Sequence, residues 1–417
     1  MQKLEYLNGL RGLAALIVVL HHFAYSFLVF STKGIAPIHY EFERWVYATP
    51  LQLLVAGNFA VCIFFVLSGF VLSYAFFSTG QTRVVRSAAV KRYFRLMPPV
   101  LASVVISWLL LTLGWHAHHQ AAAISGAPWL DNFWPRAVSI GEALYYGAYG
   151  ILLGGASPGL LNNALWTMRV ELLGSMLVFA TLAIVGRLRW RWLAYAALMV
   201  ATWQTYYVAF VIGIVLCDLA SQPRKRPSLP WPVGAALGAL GLWLGAAPIP
   251  GPEATPYDSL PGVSADPQQA FIFMHIIGAA MVLVTLVGSP LAQRFFGSRP
   301  LSYLGKISFS IYLLHVLVLG SVGSYIFVTV YPVHGYATAL AWAGTGYLVV
   351  CLLAADIFTR YVDGPTIRFA SWLGRKIVAP KPAPVVAASD IIDDRVRFSP
   401  DARIAQLSRS KAHATDT

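Results

Sequence analysis

Long unbroken apolar runs constrain this chain more than any other feature of it. About 18–20 apolar residues are enough to cross a bilayer as a helix. A backbone in hydrocarbon must satisfy its own hydrogen bonds, and continuous rather than alternating runs select helices over a barrel. Ten such segments are expected, near residues 10–30, 54–77, 97–114, 163–186, 190–203, 205–221, 230–248, 268–289, 307–330 and 339–361. The expected fold class is therefore all-α, a polytopic transmembrane helix bundle. Hydrophobic residues are 58% of the 417 and charged residues 11%, against about 25% charged in a soluble domain.

The basic residues alternate between the links. Arg83, Arg86, Lys91, Arg92 and Arg95 follow the second segment, Arg187, Arg189 and Arg191 the fourth, Arg224, Lys225 and Arg226 the sixth, and Arg294, Arg299 and Lys306 precede the ninth. The intervening links hold only Lys33, Arg44 and Arg136. By the positive-inside rule this predicts ten spans with both termini cytoplasmic. The net charge of +13 is thus an orientation signal, and with no basic face outside the apolar runs it does not predict nucleic acid binding. Cys62, Cys217 and Cys351 lie far apart in apolar runs, so neither a disulfide framework nor a metal site is expected. The domain expected is a transmembrane unit over residues 1–376, with a disordered cytoplasmic tail over 377–417, rich in Pro, Ser and mixed charge.

The first segment, YLNGLRGLAALIVVLHHFAYSF, places two histidines inside an apolar helix. At 100° per residue, His22 returns to within about 20° of the face of Arg11, eleven residues earlier, whereas His21 lies about 80° away. The same spacing is a rise of about 16 Å, which puts His22 near mid-bilayer if Arg11 marks the inner boundary. An ionisable group at that depth belongs against a polar cavity or in a hydrogen bond between helices. The fourth segment, NNALWTMRVELLGS, carries Glu171 about 12 Å below its outer end. This depth predicts Glu171 as a carboxylate partner for His22, with Arg169 on the opposite side. Arg92 and Arg95, three apart in RYFRLMPP, share a helical face. They fit either phosphate recognition or simple positive-inside anchoring, with Pro98 and Pro99 at the start of the third span. His315 in KISFSIYLLH lies about eight residues from an inner boundary.

Taken in order, YLNGLRGLAALIVVLHHF, FFVLSGFVLS, RYFRLMPP, ALWTMRVELLGS and ISFSIYLLH resemble the motifs of the membrane acyltransferase-3 family over about residues 5–370. The resemblance implies transfer of an acetyl or other short acyl group from cytoplasmic acyl-CoA, commonly acetyl-CoA, to a hydroxyl of a carbohydrate such as an envelope or exported polysaccharide. It implies residence in a bacterial inner membrane. By motif match, His22 and Arg11 are the expected catalytic pair and Arg92 and Arg95 the expected donor-binding or structurally essential pair; depth adds Glu171 to the expected catalytic residues, and position adds His315 to the donor-binding ones. Some members carry a second acidic residue after the span-four Glu; here that position is Leu172. The competing reading of intramembrane His, Glu and Arg is a small-solute transporter, although the sequence lacks repeated halves.

Overall fold

A computed structural model describes residues 5–221, 230–259 and 266–377, and these residues contain helices and no strand. The main helices are α1 (Glu5–Phe27), α2 (Gly57–Thr79), α3 (Thr82–Thr112), α4 (Trp166–Ile184), α5 (Arg191–Ala201), α6 (Tyr207–Ala220), α7 (Trp231–Gly245), α8 (Pro267–Gly288), α9 (Arg299–Val318), α10 (Ser324–Phe358) and α11 (Gly364–Ile377). Arg224–Arg226 and the tail expected from 377 onward, from its second residue, lie outside the described residues.

Among the described residues, six helical stretches are long and apolar enough to cross a membrane: Glu5–Phe27, Gly57–Thr79, Thr82–Thr112, Asn163–Ile184, Pro267–Gly288 and a composite Arg299–Lys376. The last has 78 residues, about 117 Å if straight, several times the roughly 30 Å hydrocarbon core. It doubles back at Gly335, whose φ of 75° and ψ of 177° leave helical space. Gly323 abuts Tyr347, and Gly346 abuts Ile326, so the contacts straddle that residue symmetrically. The expected spans at 190–203, 205–221 and 230–248 emerge as helices of only 11, 14 and 15 residues. Each is shorter than the roughly 20 residues of a full crossing.

Two further expectations change. Pro98 and Pro99 do not open a span; α3 begins at Thr82 and carries both inside it. The arginines therefore sit on the same continuous helix, just below a point where two backbone N–H donors are missing. The helix α4 begins deep in the bundle rather than at its surface. Asn162 Nδ2 donates to Leu313 O at 2.9 Å and Thr167 Oγ1 to the Tyr312 hydroxyl at 2.8 Å. The preceding loop is pinned there by Trp134, whose Nε1 donates to Leu161 O at 3.1 Å.

The core of the arrangement is the pair α1 and α9. A Cβ on Gly12 would lie 2.5 Å from Gly305 N, and one on Gly305 would collide with Asn8 O. Bare backbone at both positions lets the two helices touch, as small residues do in membrane bundles. Ten residues further along each helix, His22 meets His315. Equal advance from one contact to the next means that the helices run parallel and in register over about 15 Å.

Candidate active site

The site has two levels, set by that shared rise. At the lower level, α1, α2, α3, α4 and α9 enclose a cavity of about 180 Å³ lined by Arg11, Ser68, Arg92, Arg95, Glu171 and Tyr312 among others. Arg92 forms a close ion pair with Glu171 and donates through Nε to Ser175 Oγ at 2.8 Å. Ser68 Oγ donates to the same Glu171 carboxylate at 2.7 Å. Arg95 pairs with Asp363 at 2.6 Å and lies over the Phe309 ring, 5.0 Å from its centroid. Arg11 makes no direct ion pair among the described residues. Three guanidinium groups therefore face two carboxylates, and the cavity keeps one positive charge unspent. A partly buried arginine without a direct counter-ion is costly unless an anion arrives.

At the upper level, about 16 Å above Arg11, stand the two imidazoles. His315 is fully buried. Its Nδ1 lies 2.8 Å from Tyr312 O and 3.2 Å from Ile311 O. Both partners are acceptors, so Nδ1 carries the proton and Nε2 the lone pair. His22 Nδ1 lies 2.9 Å from Val18 O and 3.2 Å from His315 Nε2. That nitrogen is likewise the donor, shared between a carbonyl and the neighbouring ring. Three backbone carbonyls thus fix both tautomers, and His22 Nε2 is left as the free base. Trp129 covers the His22 ring at 4.9 Å between centroids and also stacks on Tyr25.

Tyr312 joins the levels. It lines the arginine cavity, and its ring centroid lies 5.7 Å from that of His315. Its hydroxyl donates to Ala164 O at 3.1 Å while accepting from Thr167.

The structure regroups the residues singled out from sequence. Arg11, Arg92, Arg95 and Glu171 come together. Glu171 does not meet His22, because Arg92 and Ser68 hold its carboxylate a level below. The sunken start of α4 explains this: residues 162–167 already lie at the height of Tyr312 and Leu313, so Glu171 falls lower than a surface start would put it. His315 is not beside Arg92 and Arg95; it is the ring partner of His22. Arg169 lies against Gly155, away from the cavity. Asp363 went unnoticed, although an acid immediately after the last apolar run was its signal. Ser68 lay inside a motif without being singled out.

Buried acid–base chemistry at the head of a cationic cavity, within apolar helices, defines a polytopic membrane enzyme. The chain belongs to the acyltransferase-3 family: the profile described as acyltransferase domain matches residues 4–360. It is similar to the O-acetyltransferase PaAT-1 of Phomopsis amygdali, 24% identical with 91% of this chain and 86% of that one covered. It is also similar to acyltransferase R4 of Phoma sp., 25% identical over 86% and 93% of the two chains. A third relative is acyltransferase clz18 of Cochliobolus lunatus, 25% identical over 91% and 97%. No solved structure matches. The chain is a membrane O-acyltransferase, and the transporter reading falls away.

Proposed function

We propose that this enzyme moves an acetyl group from acetyl-CoA to a hydroxyl of a carbohydrate acceptor, with His22 as general base. The donor phosphates bind at the mouth guarded by Arg11, Arg92 and Arg95, where guanidinium forks suit phosphate oxygens. The uncharged pantetheine arm enters the cavity, since phosphates cannot enter hydrocarbon. Its thioester comes to rest below Tyr312 and the imidazole pair.

His22 Nε2 takes the proton of the acceptor hydroxyl as its oxygen bonds to the thioester carbonyl carbon. The His22 cation donates through Nδ1 to Val18 O and His315 Nε2. The Tyr312 hydroxyl, turned from Ala164 O, is the donor for the developing oxyanion. The C–S bond then breaks, and the departing thiolate receives the proton from His22 Nε2. Ester and free CoA leave, and the base is regenerated. The observation that carries this reading is the unspent lone pair of His22 Nε2, linked through His315 and Tyr312 to a cavity with a spare positive charge.

Ten passages with both termini in the cytoplasm, in a bacterial plasma membrane, would put the arginine mouth on the acetyl-CoA side. Membrane lipid surrounds the bundle. The three relatives above are fungal, so fractionation of the native host tests the compartment. The activity itself is tested with the purified protein in vesicles, labelled acetyl-CoA and glucose. His22→Ala should lower transfer by about 10²–10⁴ while leaving the fold intact. Wild-type turnover in that variant would remove His22 from the chemistry.

A further inference from the structure

Above the imidazole pair, on the side away from the arginines, lies a second cavity of about 170 Å³. It is walled by His21 and Tyr25 of α1, by Gln52 and Asn58 at the approach to α2, by Lys33, and by His275 of α8. We propose that this cavity is the acceptor subsite, that it takes a polyhydroxylated molecule bearing no cationic group, and that His21 is its positioning residue. The assignment rests on the acetyl-transfer reading above.

Position is the first argument. His21 lines this cavity and its ring centroid lies 5.0 Å from that of His22. His22 is 4.8 Å from His315, and His315 is 5.7 Å from Tyr312, which lines the donor cavity. The two cavities are therefore connected by a run of four neighbouring rings that includes the proposed base. A polyol held against His21 lies beside the His22 ring, and its reacting hydroxyl extends past His21 to meet Nε2.

The second argument is how the wall spends its hydrogen bonds. The Tyr206 hydroxyl donates to Asn58 Oδ1 at 2.6 Å, and Asn58 Nδ2 reaches His275 Nδ1 at 2.9 Å. His275 Nε2 in turn lies 3.0 Å from Ala247 O, so it is the protonated nitrogen and this chain is closed. His21 Nδ1 lies 2.7 Å from Val55 O and is the donor there, which leaves its Nε2 as an acceptor. Gln52 is 4% exposed, and its Oε1 is buried without a partner. A buried acceptor left unpaired is costly, so the site is built to receive O–H donors. A Cβ at Gly57 would lie 2.5 Å from the His21 ring, so the missing side chain is what lets that ring stand against the wall.

Charge sets the class. Among the described residues, the lining includes Lys33 and no acid. The Lys33 ammonium sits over the Tyr25 ring at 4.8 Å. Neutral or anionic polyols fit such a wall, and a cation is repelled.

The test uses the full chain in vesicles with labelled acetyl-CoA and three acceptors: glucose, glucuronate and a quaternary-ammonium derivative of glucose. Glucose and glucuronate should be acetylated and the cationic sugar at least tenfold less efficiently. Gln52→Ala and His21→Ala should each raise the acceptor KM tenfold or more while the acetyl-CoA KM moves less than twofold. Gln52→Glu, which keeps the shape, should shift preference at least tenfold towards the cationic sugar. Equal use of all three acceptors overturns the assignment. So do an unchanged acceptor KM in these variants, and acetyl-CoA hydrolysis without transfer to glucose or glucuronate. Wild-type protein that neither transfers acetyl nor hydrolyses acetyl-CoA would instead sink the underlying activity.

Discussion

Replacing His315 separates a ring that serves the base from one that holds the donor. His315 Nε2 accepts from His22 Nδ1 at 3.2 Å, while Val18 O offers a second acceptor at 2.9 Å. In the resting enzyme that contact is a neutral hydrogen bond, worth about 0.5–1.5 kcal/mol; with His22 protonated it becomes charge-assisted, worth about 1.5–3 kcal/mol. The difference is felt only when the proton has moved. It comes to about 1–1.5 kcal/mol, and because 1.36 kcal/mol is tenfold in rate, His315→Ala should lower kcat about tenfold. Val18 O sets the ceiling, since it keeps the His22 tautomer even without His315. His315→Gln, whose amide oxygen can accept, should recover most of the loss. Steady-state kinetics with varied acetyl-CoA reads kcat and donor KM together, and thermal unfolding in detergent checks the fold. A donor KM that rises with kcat unchanged would return His315 to the donor-binding role expected from sequence. A loss as deep as that of His22→Ala would mean that His315 itself exchanges protons with substrate.

Three other outcomes follow from the packing. Glu171→Gln should raise the acetyl-CoA KM and spare kcat, because the carboxylate holds Arg92 and not His22; the reverse pattern in initial-rate data would restore the sequence pairing. Asp363→Asn breaks an ion pair whose side chains are 5% and 24% exposed. Its cost should lie near the lower end of the roughly 3–5 kcal/mol of a buried pair, since Arg95 faces the cavity, and thermal unfolding in detergent should show a lowered Tm. Gly305→Leu should abolish activity by driving α9 from α1, measured as transfer by protein that still inserts into membranes; full activity would refute the close crossing.

Helical periodicity and apolar run length made much of the bundle legible. The stripe joining Arg11 to His22 follows from 100° per residue, and the Arg92–Arg95 face likewise. Periodicity gives the faces of one helix and not which helix meets them, so the His22–His315 pair was beyond it. The mistaken partner of His22 has a specific cause. Depth was counted for Glu171 from a helix start assumed to lie at the surface, and the loop before α4 instead descends to Tyr312. The helices α5, α6 and α7 are shorter than the spans expected there for a related reason: apolar composition does not fix helix length when turns such as WQTYY interrupt it.

The neighbouring rings Tyr312, His315, His22 and His21 have a consequence beyond chemistry. They form a run of neighbouring rings between one cavity and the other, and so they add to the barrier against ions. A living membrane tolerates little leak, which gives these side chains a bulk requirement as well as a reactive one. Trimming both central imidazoles to methyl groups should therefore do more than silence the enzyme: vesicles carrying such a protein should lose an imposed proton gradient faster than vesicles carrying the native chain.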